Sequence, residues 1–148
     1  MKKQIGIGII LLACLIVGAG VLWLLIEKDK VELDIFSGVP NPNWTLTLME
    51  GSNLKSMISK LNATEIKRQR PENLGYRGFI IQTTTALFGD KQTIRAYHGI
   101  VEVEDATKTV YYLDPQRQIE FWLLSTAKTT LTEDLTSEII KEIKKDEP

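Results

Sequence analysis

The sequence feature that most constrains the fold is an uncharged, strongly apolar run at residues 5–26. Lys2 and Lys3 precede the run, and the charged linker Glu27-Lys28-Asp29-Lys30 follows it. At the helical rise of about 1.5 Å per residue the run is roughly 33 Å long, which is enough to cross a hydrocarbon core of about 30 Å. The pattern therefore predicts a transmembrane anchor helix at residues 5–26 and a separate domain at residues 31–148.

The charges that flank the run predict its orientation. Lys2 and Lys3 lie in a very short tail, residues 1–4, together with the amino terminus, whereas the lysines of the linker at residues 27–30 alternate with acidic residues. Because positive charge beside a span favours the cytoplasmic side, we expect the tail in the cytoplasm and residues 31–148 outside. The predicted location is the cell membrane, crossed once.

Two other interpretations of the apolar run stay open. A secretory signal would be cleaved near the small residues 17–20, but the apolar region of such a signal has about 7–15 residues and this run continues to Ile26. Leu11-Leu12-Ala13-Cys14 resembles a loose bacterial lipobox, in which Cys14 would be lipidated, although Leu12 is bulky for that motif and an apolar stretch follows. A small buried cysteine within the helix is the simpler interpretation of Cys14.

Composition narrows the classes of function open to the domain. The first thirty residues hold four of the 18 basic and two of the 19 acidic residues, which leaves residues 31–148 with a formal net charge of −3. This mild acidity gives the domain as a whole no electrostatic attraction to nucleic acid or to anionic lipid, and we expect no nucleic-acid partner. The single cysteine lies in the apolar run, so the domain has no disulfide, a pattern more typical of a bacterial envelope protein than of an animal cell-surface protein.

The domain is predicted to belong to the α+β class, with the element order ββαβββαα. Because the strands group into hairpins, we expect an antiparallel sheet of about five strands with about three helices packed on one face. The longest strand changes phase at His98-Gly99, for which we predict a bulge. Alternating or β-rich patterns predict strands at residues 31–35, 44–48, 78–84, 92–104 and 109–113.

Apolar residues that recur three and four positions apart predict the three helices. Each begins with a residue type that can accept a hydrogen bond from the first helical turn. The first helix carries Leu54 to Leu61 with Ser52 or Asn53 as its N-cap, the second starts at Asp114-Pro115, and the third runs from about Thr132 to Lys145.

Few residues are candidates for catalysis. No segment matches a phosphate-binding loop, a nucleophile elbow, a zinc-ligand spacing or a calcium loop, so we expect no metal and no cofactor. His98 is the only histidine, and a single histidine beside a glycine is more often structural than catalytic. The other two candidate catalytic residues are carboxylates. Asp34 is expected on the exposed face of the first strand, and Glu120 lies within a helix. A carboxylate dyad would need close approach and a raised pKa in one member.

The most distinctive part of the domain is the Pro-Asn loop, residues 36–44, with the sequence Phe-Ser-Gly-Val-Pro-Asn-Pro-Asn-Trp. Its prolines restrict the backbone, its amides offer donors and acceptors, and its tryptophan offers a stacking face, which favours binding of a peptide or a sugar. The alternative is that the prolines set a turn and the tryptophan is part of the core. The candidate ligand-binding residues of this loop are Asn41, Asn43 and Trp44. Tyr76, Arg77 and Arg95 are further candidates, which with Tyr97 could form a second polar-aromatic surface.

Taken together, the patterns indicate a non-catalytic binding or assembly module, anchored in the membrane and displayed outside the cell membrane of a bacterium. Its expected partner, besides the membrane, is an envelope protein or glycan. The alternative is a cell-envelope hydrolase that uses Asp34, His98 or Glu120. Turnover of a cell-wall or peptide substrate, with a pH–rate profile that changes in His98→Ala, would distinguish this alternative.

Overall fold

The computed structural model describes residues 28–35, 38, 40–67, 75–85 and 90–145. Within these residues seven strands and three helices form an α+β domain with an antiparallel sheet, which confirms the predicted class with two strands more than expected. The predicted anchor at residues 5–26, with Cys14, lies outside the described residues. Among the residues that are described, no helix has the length and the apolar character that crossing a bilayer requires.

The elements follow the chain in the order β1-β2-α1-β3-β4-β5-β6-β7-α2-α3. The strands are β1 (Lys30–Leu33), β2 (Asn43–Thr45), β3 (Asn62–Thr64), β4 (Phe79–Thr85), β5 (Asp90–Tyr97), β6 (Ile100–Glu104) and β7 (Thr109–Leu113). The helices are α1 (Leu48–Ile58), α2 (Gln118–Thr126) and α3 (Glu133–Lys144).

The sheet is built around four consecutive hairpin-connected strands. The strand order is β2-β1-β4-β5-β6-β7-β3, and all neighbouring strands are antiparallel. The two short strands β2 and β3 form opposite edges, and α1 connects them in the chain. The polypeptide between β2 and β3 therefore crosses the full width of the sheet.

The predicted bulge at His98-Gly99 is wrong, because the chain reverses there. Tyr97 pairs with Ile100, so His98 and Gly99 form a two-residue turn between β5 and β6. Their φ angles are 45° and 79°, and two successive positive φ angles are the geometry of a tight hairpin turn whose twist matches the strands. A bulge and a turn both change which residues face the core, so the phase change alone did not distinguish them.

The beginning of α1 also differs from the prediction. Thr47, and not Ser52 or Asn53, is the N-cap: its hydroxyl accepts from the backbone N–H of Glu50, and the Glu50 carboxylate accepts from the backbone N–H of Thr47 at 2.8 Å. This is a capping box, which satisfies two N–H groups at the helix start. Leu48, expected on the buried side of a strand, lies in the first helical turn and is 52% exposed.

The other two helix starts agree better with the sequence. Thr132 caps α3 as predicted, by accepting from the backbone N–H of Leu135 at 3.3 Å. Asp114 acts at the start of α2, where its carboxylate accepts from the backbone N–H of Ile119 at 2.8 Å. However, α2 begins at Gln118, because a turn with Arg117 in the left-handed region comes first.

The core lies between the three helices and one face of the sheet, here called the inner face. Trp44 joins β2 to α2 across this core, since its indole N–H donates to the hydroxyl of Thr126 at 2.9 Å. Alternate strand residues share the inner face because side chains of a strand point alternately to its two sides. The strand residues of the inner face that are buried in the core are Val31, Leu33, Phe79, Ile81, Ile94, Ala96 and Val101. The helix residues buried against them are Leu54, Ile58, Ile119, Leu123, Ile139 and Ile143.

The β5–β6 turn generates the first testable prediction. A Cβ on Gly99 would lie 2.8 Å from the carbonyl oxygen of Asp114, so Gly99→Ala combines left-handed strain with a backbone clash. We expect a loss of about 3 kcal/mol in the free energy of unfolding, measured by chemical denaturation. Gly38→Ala is the matched control: its φ is 84°, and a Cβ added there meets no described residue within 4 Å apart from its chain neighbours, so strain alone should cost about 1 kcal/mol. Equal losses would contradict the clash.

Candidate functional site

Glu120, one of the candidate catalytic residues, is a buried carboxylate that ties three parts of the chain together. It lies on α2 with 1% of its surface exposed. The hydroxyl of Tyr76 donates to its Oε1 at 2.5 Å, and the backbone N–H of Gly99 donates to its Oε2 at 2.9 Å. The backbone N–H of His98 donates to the same carboxylate. We call Glu120, Tyr76, His98 and Gly99 the Glu120 cluster.

The tight turn explains why two consecutive amides reach one carboxylate. Successive N–H groups in a left-handed turn form a concave donor site that suits an anion, and Glu120 fills this site from α2. Burial raises the pKa of Glu120 above its ordinary value of 4.5, while the three donors and the charge of Arg117 act in the opposite direction. Burial and the neighbouring Glu120 charge raise the pKa of Tyr76 well above 10.0, so Tyr76 stays a donor.

His98 lies in the same buried cluster and is 7% exposed. Its ring packs edge-on against Tyr97, with ring centroids 4.4 Å apart, and its centroid lies 5.9 Å from that of Tyr76. The backbone of His98 forms the turn that holds Glu120. The structure thus brings two candidate catalytic residues together, in a place where both have structural roles.

Asp34, the third catalytic candidate, belongs to a different group of residues. It was expected on the exposed face of the first strand, but it follows β1 and is 9% exposed, because Arg77 covers it. Arg77 donates to Asp34 Oδ1 from Nη2 at 2.6 Å and from Nε at 3.0 Å. Backbone hydrogen bonds from Arg77 to Asp34 and from Asp34 to Gly78 hold the two segments side by side.

In the Pro-Asn loop, the side-chain amide of Asn41 makes hydrogen bonds within the folded domain. The Asn41 side chain accepts from the backbone N–H of Ile35 at 3.2 Å and donates to Glu32 Oε1 at 2.9 Å. It also lies 3.4 Å from Asp34 Oδ1. Trp44, at the end of the loop, is 8% exposed and packs edge-on against Phe79, so its ring offers no stacking face at the surface.

The remaining ligand candidates divide between the interior and the surface. Tyr76 and Tyr97 are buried, with ring centroids 5.9 Å apart, whereas Asn43 and Arg95 lie on the sheet face opposite the core, here called the outer face. The predicted surface that would join Tyr76 and Tyr97 to Arg95 is therefore wrong. Strand pairing instead places Arg95 in line with Asn43.

One row of paired residues crosses the outer face from edge to edge. Each member is directly opposite the next in the strand register, and each lies outside the buried cluster and is at least partly exposed. We call it the outer row. In spatial order it consists of Asn43, Glu32, Ile80, Arg95, Glu102, Tyr111 and Thr64.

The outer row is rich in hydrogen-bond acceptors. Nη1 of Arg95 donates to Glu102 at 2.7 Å and to Glu104 at 2.6 Å, so one guanidinium balances two carboxylates. Of these two carboxylates, Glu102 belongs to the row and Glu104 lies beside it, and Glu32 is the second carboxylate of the row. Tyr111 supplies an aromatic ring, and Lys67 Nζ lies 5.5 Å from its centroid. An arrangement of carboxylates, an amide and a ring suits partners that present N–H or O–H donors.

Sequence reasoning found two members of the outer row, Asn43 and Arg95, and missed the other five. Alternation with apolar neighbours places Glu32 and Glu102 on the polar side of their strands, which was the available signal for those two residues. The strand order that aligns them is a long-range property and is absent from any single segment. Over the described ranges, no group of three or more His, Cys, Asp or Glu side chains is arranged to hold a metal ion.

Comparison of the chain with protein-family models, with curated proteins and with solved structures finds no significant match. The function is therefore argued from the geometry of the Glu120 cluster and of the outer row.

The Glu120 cluster generates a prediction for the pH dependence of stability. The folded state holds the Glu120 proton more tightly than the unfolded state, so its contribution to stability is fully present below pH 4.5 and is lost as pH rises through the higher folded pKa. The glutamine side chain of Glu120→Gln does not titrate in this range. We therefore expect the unfolding free energy of the wild type to fall relative to Glu120→Gln across this window.

Chemical denaturation at a series of pH values that begins below 4.5 measures this difference. Glu138→Gln, at an exposed position of α3, controls for the loss of one carboxylate elsewhere on the surface. Parallel curves for the wild type and Glu120→Gln would contradict the prediction.

Proposed function

We propose that the chain is a binding or assembly module without catalytic activity, which one N-terminal membrane anchor holds on the outer side of a bacterial cytoplasmic membrane. The observation that carries the proposal is the outer row, a continuous line of exposed and half-buried side chains across all seven strands, polar at every position except Ile80. With strands about 4.8 Å apart, the row is roughly 29 Å long. That length suits contact with an extended partner.

The absence of catalysis in this proposal is supported by the roles of the three catalytic candidates. Asp34, His98 and Glu120 are each at most 9% exposed. Both carboxylates accept several hydrogen bonds that join segments of the chain, and His98 forms the turn that binds Glu120. A general base must reach the proton that it removes from the substrate, whereas these groups face other parts of the protein.

The chemistry of the outer row supports a partner with donor groups. Its carboxylates exceed its single guanidinium, so the hydroxyl groups of a glycan or the amine and amide groups of a protein complement it better than an anion does. Tyr111 adds a ring that sugars and apolar side chains both contact favourably. The proposed partner is a component of the cell envelope.

Photo-crosslinking in cells tests this proposal. A photoreactive residue at Tyr111 or Thr64, on the outer row, is expected to join the chain to an envelope component. The same residue at Ser137, an exposed position of α3, is the control and should give little product. Loss of the product's added mass after glycan hydrolysis would identify a glycan partner, and a product that resists glycan hydrolysis would identify a protein partner. Equal products at all three positions, or none, would contradict a binding role for the row.

Protease accessibility tests the proposed location. We expect a tag placed after Pro148 to be cleaved by protease added outside, in cells whose outer layer has been removed, while a cytoplasmic protein stays intact. The expectation follows from the lysines at residues 2 and 3 and the positive-inside rule. Protection of the tag until detergent dissolves the membrane would place the domain in the cytoplasm and overturn both location and partner.

A further inference from the structure

Two exposed apolar side chains lie side by side at the start of α1. Leu48 is 52% exposed and Met49 is 76% exposed. The other large hydrophobic residues that are exposed within the described ranges, Ile66 and Leu113, are isolated from each other in the sequence. An adjacent leucine and methionine in water are unfavourable unless another apolar phase covers them, since burial of either is worth about 1.5–3 kcal/mol.

The polypeptide enters the domain beside this pair. The carbonyl oxygen of Asp29 accepts from the backbone N–H of Leu46 at 2.8 Å, two residues before Leu48. The next residue, Lys30, already pairs with Thr45 in the sheet. Asp29 and Lys30, predicted as part of the linker, are thus part of the folded domain.

The predicted anchor ends at Ile26, three residues before Asp29. Three extended residues span at most about 11 Å. An anchor of this length ends near the boundary of the hydrocarbon core, so the side of the domain that carries Asp29 and the start of α1 is held against the lipid headgroups. Leu48 and Met49 lie on that side.

We propose that Leu48 and Met49 insert into the bilayer that holds the anchor, at the boundary between headgroups and acyl chains. This second contact would fix how the domain is oriented on the membrane. The proposal rests on the proposed function through the predicted anchor at residues 5–26. It adds a surface of the folded domain itself that binds lipid.

The charges around the pair match an anionic lipid surface. Lys28 and Lys30 flank Asp29, and the charge of Lys55 acts on the same aspartate. Asp29 itself is 8% exposed and therefore presents little negative charge. Lysines beside inserted apolar residues are the usual composition of an interfacial membrane contact.

Glu50, the acidic residue in the first turn of α1, does not oppose the contact of Leu48 and Met49 with lipid. The Glu50 carboxylate closes the capping box with Thr47, and it also accepts from Lys128 Nζ at 3.1 Å. Lys128 is 66% exposed and balances the charge of Glu50 at the surface. Among the described residues of this edge, the exposed charges are therefore mainly positive.

Depth-dependent fluorescence quenching of the full chain tests the proposal. In a Cys14→Ser background, Met49→Cys carries an environment-sensitive dye, and the chain is reconstituted into phosphatidylcholine–phosphatidylglycerol vesicles with a nitroxide on a shallow acyl-chain carbon. Asn62→Cys is the matched control, since Asn62 is exposed on the far edge strand β3, at the sheet end opposite Lys30. We expect quenching at least about twofold stronger at position 49, because interfacial residues lie roughly 5–10 Å into this boundary.

Leu48→Ser, in the chain labelled at position 49, is expected to weaken the quenching, and omission of phosphatidylglycerol should weaken it as well. Because Leu48 is exposed, this substitution leaves the core intact.

Equal quenching at positions 49 and 62, while the chain resists extraction by alkaline carbonate, would overturn the insertion and leave the anchor in place. Extraction by carbonate would overturn the anchor and the insertion together. Protection of the dye from an aqueous quencher without lipid quenching would indicate contact with a second copy and would also overturn the insertion.

Discussion

The arrangement of the domain depends most on the hydrogen bonds that the buried carboxylate of Glu120 accepts. A carboxylate removed from water loses several kcal/mol of hydration, so it is tolerated only where donors replace the solvent. Here the donors come from the β5–β6 turn and from Tyr76, while Glu120 itself belongs to α2. One side chain therefore fixes a helix, a hairpin and the segment before β4 relative to one another. A shift of the helix against the sheet would remove the donors and leave a buried charge unpaired.

The same strand alternation produces both the core and the proposed binding surface. In each strand one set of side chains packs beneath the helices, and the other set faces away from them. The antiparallel register aligns the second set into the outer row, where Arg95 lies between carboxylates and Tyr111 lies near an edge. Leu48 and Met49, and the point where the chain leaves for the predicted anchor, lie beside the β2 edge, where the outer row begins with Asn43. The far end of the row, on β7 and β3, is therefore remote from the proposed membrane contact.

Much of the fold was predictable because its signals are local. The α+β class, the apolar face of α3 and the Thr132 cap follow from periodicity and from residue chemistry within a few positions. The Thr47–Glu50 capping box was also readable, as a threonine followed three residues later by a glutamate, and it was missed. β3 was missed for another reason: three residues, Asn-Ala-Thr, carry no alternation, and only pairing with β7 makes them a strand. The candidate site was less predictable, because Asp34 is buried by Arg77, which is distant in the sequence.

By itself the sequence determined the apolar run and the charged residues that follow it, the positions of most strands and helices, and the residue types available for binding. Each of these depends on neighbours within a few positions, where spacing and side-chain chemistry are sufficient. The tertiary structure alone decided that residues 92–104 fold back on themselves, that Glu120 receives the amides of that turn, and that seven strands align one row from Asn43 to Thr64. These features depend on contacts between distant segments, and such contacts form only when the whole sheet has closed around its core.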